Sequence, residues 1–534
     1  MSKIVRRDFL RTLSAGAAAA AIPGLTGCGP ASDSSARRPN IIIMMADDMG
    51  FSDIGCYGGE IDTPNLNRLA QHGIRFTQFY NTARCCPTRA SLLTGLYQHQ
   101  AGVGHMVQDR GVPAYQGYLN DRCVTIAEAL KPAGYTTLMS GKWHVGEDRP
   151  HWPVDRGFEE HFGLISGASN FWRLDEGRTM AVNGEPYTPP TDGFYMTDAF
   201  TDHACDMIGR HAGREKPFFL YLAFTAPHWP LHAHPQDIEK YRGRYMMGWD
   251  ELRRQRHQRM IELGIVKPNW PLTPRDQTAP AWETVADKEA RDLKMAVYAA
   301  QIDNMDQNIG RVLAKLDEAG AADNTLILFL ADNGGCAEEI NRSAVPDTPP
   351  GPADSYLSYG LPWANASNTP FRLYKHWVHE GGIATPLIAH WPAGVKPELH
   401  NTLTDAPGHV IDLMATCVDL AEAEYPAEHN GQPVTPLEGK SLSPVFRTGN
   451  REPHEAIYWE HEGNRAIRLG KWKLVSKWNE GNEWQLYDLD ADRTEMNDLA
   501  AVDTAKRDEL AAMWHAWADR AGVVPWDQFQ RRRG

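Results

Sequence analysis

Along this chain, runs of consecutive apolar residues repeatedly break off into charged clusters. Asn40-Ile41-Ile42-Ile43-Met44-Met45 runs into Asp47-Asp48, and Thr136-Thr137-Leu138-Met139 runs into Lys142 and His144. Phe218 to Phe224 runs into His228, and Leu326 to Leu330 into Asp332-Asn333. Uninterrupted apolar runs of this length predict strands buried on both faces of a mainly parallel sheet. Ligands of open α/β sheets bind beyond the carboxyl ends of the strands, so clusters distant in sequence are expected to meet in one crevice. Between the strands the period changes: Tyr298, Ile302, Met305, Ile309, Val312, Leu313 and Leu316 recur at helical steps, with Gly320 placed to stop the helix. Residues 240–285, charged and dotted with tryptophan, read as a peripheral helix and loop. Residues 341–370, rich in Pro, Ser, Gly and Asn, read as a long loop bordering a site. After about residue 435 the pattern alternates around aromatic residues, as in Ala456–Glu460, Ala466–Arg468, Lys471–Val475 and Glu483–Leu489. These predict short antiparallel strands, followed by a helix from about Thr504 to Ala521.

Composition narrows the class. The chain has 534 residues, 42% of them hydrophobic, and a formal net charge of −14, which argues against nucleic acid or an anionic membrane surface as the main partner. An anion site must therefore be locally basic. The first residues read as an export signal: Arg6-Arg7-Asp8-Phe9-Leu10 is a twin-arginine motif before an Ala-rich run from Thr12 to Ile22. That run is too short for a span, which needs about 20 apolar residues. Leu25-Thr26-Gly27-Cys28 resembles a bacterial lipobox. The expected organisation is a signal over residues 1–28, a tether over 29–38, a catalytic α/β domain over 39–434 and a C-terminal subdomain over 435–534. A periplasmic or envelope location follows, with the membrane reached only through a lipid on Cys28 and the twin-arginine translocase as export partner. Cys56, Cys86, Cys123, Cys205, Cys336 and Cys417 show no metal spacing and read as mainly reduced core residues.

The densest signal is Cys85-Cys86-Pro87-Thr88-Arg89-Ala90-Ser91-Leu92-Leu93-Thr94-Gly95. Proline just after a reactive group and before a Leu-rich run predicts the first turn of a helix. Cys85 then sits at a helix N-terminus, where free amides and the dipole favour an anion. Asp47, Asp48, Asp332 and Asn333 offer oxygen donors without thiolate or imidazole, the preference of calcium or magnesium.

Cys85-x-Pro87-x-Arg89 with the Leu-Leu-Thr-Gly tail resembles the signature of the type I sulfatases, in which the cysteine is oxidised to formylglycine (3-oxoalanine). Only Cys85 fits, because Thr88 follows two residues after Cys86. Gly141-Lys142-Trp143-His144, His228 in Ala226-Pro227-His228-Trp229-Pro230, and Lys375 five residues before Glu380-Gly381-Gly382 match further family elements, closest to the bacterial arylsulfatases. Tyr487-Asp488-Leu489 and Asn497-Asp498-Leu499-Ala500 match the family's tail, so the likeness runs from about residue 38 to the C-terminus. It implies an alkaline-phosphatase-like fold: a large mixed, mainly parallel sheet flanked by helices, with a small C-terminal antiparallel sheet plus helix. It also implies one calcium ion held by Asp47, Asp48, Asp332, Asn333 and the oxidised Cys85, and a separate maturation enzyme that makes formylglycine. In the implied reaction the hydrated aldehyde attacks the sulfur of a sulfate monoester, with Asp332 as base. Lys142, Lys375 and Arg89 neutralise charge, His228 with Lys375 protonates the leaving alcohol, and His144 assists release of sulfate.

Two rival readings weigh against this one. A phosphate or phosphonate ester hydrolase of the same superfamily would be expected to use Ser or Thr and extra metal ligands, which the sequence lacks. A non-catalytic lipoprotein binding sulfated glycans through an unconverted Cys85 has no need of the full set of lysines and histidines. Trp172, Trp229 and Trp363 are candidates for an aromatic pocket, with core packing the equal alternative. His232 and His234 match no motif, and Asp53 and Asp62 carry no assignment.

Overall fold

The computed structural model describes residues 38–478 and 480–531. The twin-arginine segment, Cys28 and nearly all of the tether lie outside the described residues. The four apolar runs form strands Asn40–Ala46, Thr136–Gly141, Phe218–Ala223 and Thr325–Ala331. They are neighbours in an 11-stranded sheet, in the order Thr325, Asn40, Phe218, Thr136, and every pairing among them is parallel. Alternate residues of the Asn40 strand enter opposite cores. Ile42, Met44 and Ala46 pack on one face of the sheet and Ile41, Ile43 and Met45 on the other. That two-sided burial is why the run carries no polar alternation.

Two more strands extend the sheet: Ala384–His390 lies antiparallel to Thr325–Ala331, and Ile74–Tyr80 lies antiparallel to Ala384–His390 and so runs with the central strands. Polar Arg75, Thr77 and Gln78 interrupt the first of these, yet all three are buried. Arg75 donates to the Cys56 carbonyl and Thr77 to the Thr404 carbonyl, which offsets the burial of those donors, although Arg75 Nε keeps no partner. The predicted Tyr298 helix is one 31-residue helix, Lys288–Glu318, ending before Gly320, whose φ of +65° is the left-handed conformation that stops it. Helix Trp249–Glu262 lies where the charged segment placed one. The loop over 341–370 contains a short helix, Leu361–Ser367, with Pro362 in its first turn.

The C-terminal alternation folds as the antiparallel sheet Ile457–His461, Asn464–Leu469, Trp472–Ser476 and Trp484–Asp488, covered by helix Thr504–Ala521. One face of this sheet packs on Leu510, Trp514 and Trp517 of that helix. Ile457, Trp459, Ala466 and Val475 point the other way, into the main core. Buried Glu380 fastens this seam: Lys473 Nζ and Arg493 Nε each lie 2.9 Å from its carboxylate, and Tyr80 donates to it at 3.1 Å. No helix among the described residues is long and apolar enough to cross a membrane.

Candidate active site

Each cluster of polar residues lies at or just past the carboxyl end of its strand. Backbone bonds tie these ends together: Asp332 N donates to Ala46 O, Lys142 N to Ala223 O and Asp47 N to Ala226 O. Asp48 and His144 adopt left-handed φ of +64° and +58°, conformations that cost a non-glycine residue about 1–3 kcal/mol and that concentrate at functional sites. Ten residues from Cys85 to Thr94 form a wholly buried helix that starts at Cys85 itself, with Pro87 in its first turn. Thr88 Oγ1 donates to the Asp332 carbonyl at 2.6 Å, which seats this helix start on the end of the Thr325 strand.

Buried cations pin the acidic residues. Lys142 Nζ donates to Asp47 Oδ2 at 2.6 Å, and Arg89 Nη2 to Asp332 Oδ2 at 2.8 Å. Arg89 Nη1 also donates to the Lys142 carbonyl and the Tyr221 hydroxyl, so one guanidinium braces three strands. Asn333 Nδ2 donates to Asp48 Oδ1 at 2.8 Å. Burial pushes the Asp47 carboxyl up against the pull of Lys142 and Arg89, and burial with the nearby Asp47 charge pushes Asp332 well up. For Asp48, burial is outweighed by His228 and Lys375, which hold it at about 2.

This arrangement fits a hard divalent cation. Asp47, Asp48, Asp332 and Asn333 are at most 1% exposed and bring only oxygen donors together, apart from the amide nitrogen that Asn333 already spends on Asp48. Asp47 Oδ1 and Asn333 Oδ1 are buried without any hydrogen-bond partner. Two orphaned buried acceptors in one crevice are costly unless a cation meets them.

Cys85 lies beside His144, their donor atoms within 4.8 Å. A hydrogen bond from Cys86, and then the positive charge of Lys142, hold the Cys85 thiol well below its usual range despite burial. Burial lowers His144 to about 4. Its ring stacks so closely on Gly167 that a Cβ there would lie 2.3 Å from ring atoms. His228 donates from Nδ1 to the Trp229 carbonyl at 2.5 Å, which turns Nε2 towards the site, 3.4 Å from both Asp48 Oδ2 and Lys375 Nζ. The structure therefore gathers Cys85, Arg89, Lys142, His144, His228 and Lys375 around the four candidate metal ligands.

A pocket of about 730 Å³ opens above Cys85, His144, His228 and Lys375. Its walls hold residues that no sequence motif marked: Arg84, His105, Arg110, Arg178, Glu338, Glu462, Trp526 and Phe529. Of the three candidate tryptophans only Trp229 lines it. Trp363 is fully buried against Trp249 and Trp282, and Trp172 lines a different groove, where its indole donates to the Gly351 carbonyl. His232 is buried and paired with the Ser355 carbonyl, and His234 with Asp198. Asp53 is clamped by Arg256 at 2.6 Å, and Asp62 meets Lys240 at 3.0 Å. All seven cysteines among the described residues are free.

Known proteins resemble this chain over most of its length. A family model described as Sulfatase matches residues 39–423, and one described as N-sulphoglucosamine sulphohydrolase, C-terminal, matches residues 371–517. The chain is 36% identical over 452 residues to an arylsulfatase of Klebsiella aerogenes, covering 80% of this chain and 96% of that protein. It is 36% identical over 529 residues to an uncharacterized sulfatase of Schizosaccharomyces pombe, covering 91% and 95%. The solved structure of Ps i-CgsB in complex with k-i-k-neocarrahexaose superposes with a TM-score of 0.67 at 26% identity, covering 90% of this chain and 93% of that one.

Proposed function

This chain belongs to the sulfatase family, and from that premise we propose that it hydrolyses sulfate monoesters with a formylglycine made from Cys85 and a single calcium ion. The observation that carries this reading is the position of Cys85. It opens a buried helix, with Lys142 and His144 beside it and four buried oxygen-donor side chains adjacent.

Asp47, Asp48, Asp332 and Asn333 would hold the cation, together with an oxygen on residue 85. When bound, calcium supplies positive charge against the sulfate oxygens, and the converted residue 85 supplies a hydrated aldehyde as nucleophile. The protein's own residues do the rest. Arg89 and Lys142 keep Asp332 and Asp47 in place and add positive charge where the sulfate must lie. His144 is the neighbour able to accept a proton from residue 85. On the opposite side His228 presents Nε2 to the leaving oxygen, and the Lys375 ammonium, 3.4 Å away, can deliver a proton to it.

The deciding experiment is peptide mass spectrometry of residue 85 alongside assays on aryl, alkyl and sugar sulfates. An unmodified Cys85 in fully active enzyme overturns the reading. We further propose twin-arginine export with lipidation of Cys28; replacing Arg6 and Arg7 with lysine should retain the protein in the cytoplasm, and Cys28→Ala should abolish incorporation of labelled lipid.

A further inference from the structure

Pocket residues nearest the leaving side of the site form a linked unit. Arg84 immediately precedes Cys85, lines the pocket and is only partly exposed. Its Nη1 donates to Glu338 Oε1 at 3.2 Å, and the other oxygen of Glu338 accepts the Trp229 indole N–H at 3.0 Å. Trp229 is in turn fixed to His228, whose imidazole donates to its carbonyl and whose ring centre lies 4.6 Å from its own. An alcohol departing next to His228 Nε2 would lie in the pocket that Arg84, Glu338 and Trp229 line.

This wall is polar in a particular way. Lys142, Arg89 and Lys375 are each committed to a carboxylate of the candidate metal site. Arg84 spends one donor on Glu338, and its Nε is buried without a partner. A guanidinium has five N–H groups in a fixed fork, so Glu338 orients Arg84 without exhausting it. Because Glu338 already balances its charge, Arg84 suits neutral oxygen acceptors better than a second anion. The same pocket is also lined by carboxylate, imidazole and aromatic groups: Glu462, which accepts from His105 at 2.5 Å, with Trp526 and Phe529. This mixture of donors, acceptors and ring faces suits a ring bearing several hydroxyl groups, and the cavity exceeds what a single phenyl group fills.

We propose that Arg84, oriented by Glu338, is a specificity residue that hydrogen-bonds the hydroxyl groups of a sugar leaving group. The proposal rests on the sulfate-ester reading. It assigns Arg84 a role in choosing the alcohol and leaves hydrolysis of the sulfate to the residues below it.

Its test compares kcat/KM for glucose, galactose and N-acetylglucosamine sulfated at single positions with that for cyclohexyl sulfate, whose alcohol leaves as poorly but carries no further hydroxyl groups, and for 4-nitrophenyl sulfate. Wild-type enzyme, Arg84→Ala and Glu338→Gln are measured, each normalised to its formylglycine content by mass spectrometry. At least one sugar sulfate should be a substrate. Both variants should lose about 10- to 100-fold on it, the worth of a hydrogen bond to a charged group, and at least tenfold less on the cyclohexyl and aryl esters. Equal losses on the sugar and cyclohexyl esters, no loss on the sugar, or a wild-type enzyme that acts on no sugar sulfate would each overturn the proposal. Fully converted wild-type enzyme that cleaves no sulfate ester sinks the underlying reading itself, a distinguishable result. Since residue 84 adjoins the oxidised position, Glu338→Gln decides the matter should Arg84→Ala escape conversion.

Discussion

The ammonium of Lys375 straddles the carboxylate of Asp48, 2.7 Å from one oxygen and 2.8 Å from the other. The same nitrogen lies 3.4 Å from His228 Nε2, so one lysine connects a candidate metal ligand to the candidate proton donor. All three side chains are buried; Asp48 faces the charges of His228 and then Lys375, and Asp48 is the largest charge acting on Lys375.

That link makes the leaving-group side of the reaction separable from the sulfate side. Replacing His228 with alanine should slow esters of poor leaving groups by about 10²–10⁴, with much smaller losses for esters of acidic phenols. Lys142→Ala should slow both kinds by similar factors, because the charge it offsets lies on the sulfate. Plotting log kcat/KM against leaving-group pKa for each variant checks this. A His228→Ala line parallel to the wild type would move the proton donor to Lys375.

Cys85→Ala should fold and lose essentially all turnover. The side chain is small and contributes little packing, whereas Pro87, Thr88 and the Leu-rich turn that hold the helix remain. Circular dichroism and thermal melting should match the wild type within a few degrees while activity falls to background.

Chelation should abolish activity and lower Tm, with calcium restoring both better than zinc, because the site gathers carboxylate and amide oxygens with two acceptors orphaned. A ligand present at about 100 times its Kd stabilises the folded state by about 2.7 kcal/mol, a shift readily seen in a melt. Full activity in Asp47→Ala would refute the ligand assignment.

Gly167→Ala should cost activity without replacing any group that bears chemistry. A methyl there would sit 2.3 Å from the His144 ring, so the imidazole must move away from residue 85. Loss of tenfold or more in kcat, with Tm lowered by only a few degrees, is expected. Unchanged kcat would show that His144 has room to adjust.

Acid stability should depend on Asp412. Its carboxylate receives the Arg451 guanidinium at 2.6 Å, His454 at 2.7 Å and the backbone amides of His409 and Lys440. Burial alone would raise its pKa, but His454 and Arg451 outweigh burial and hold it below the usual carboxylate range. A depressed folded pKa means the unfolded chain binds more protons, so this contribution is complete above about pH 4 and is lost as pH falls through the folded value. Asp412→Asn should therefore cost about 3–5 kcal/mol near neutrality, the price of stranding a buried partner, and progressively less as the pH drops below 4. Denaturant midpoints measured from pH 7 to pH 3 test it; a gap that widens on acidification contradicts the assignment.

By itself the sequence determined the parallel centre of the sheet, the C-terminal strands and helix, and the chemistry at their ends. Strands buried on both faces must be continuously apolar, and the Cys85, Lys142, His228 and Lys375 contexts are local in the chain. It did not reveal the strands Ile74–Tyr80 and Ala384–His390, which pair antiparallel with each other: buried Arg75, Thr77 and Gln78 break the apolar run of the first and find partners only among carbonyls and side chains brought in from elsewhere, and Thr385 and Pro386 break that of the second. Nor did it reveal the pocket wall. Arg84, Glu338 and Glu462 look like ordinary surface charges until the fold sets residues 254 positions apart within hydrogen-bonding distance. Trp363 shows the converse, a residue suited to a binding pocket that packing against Trp249 and Trp282 commits to the core. What a residue can do was written locally; which residues share a cavity depended on long-range packing, which leaves no periodic trace in the chain.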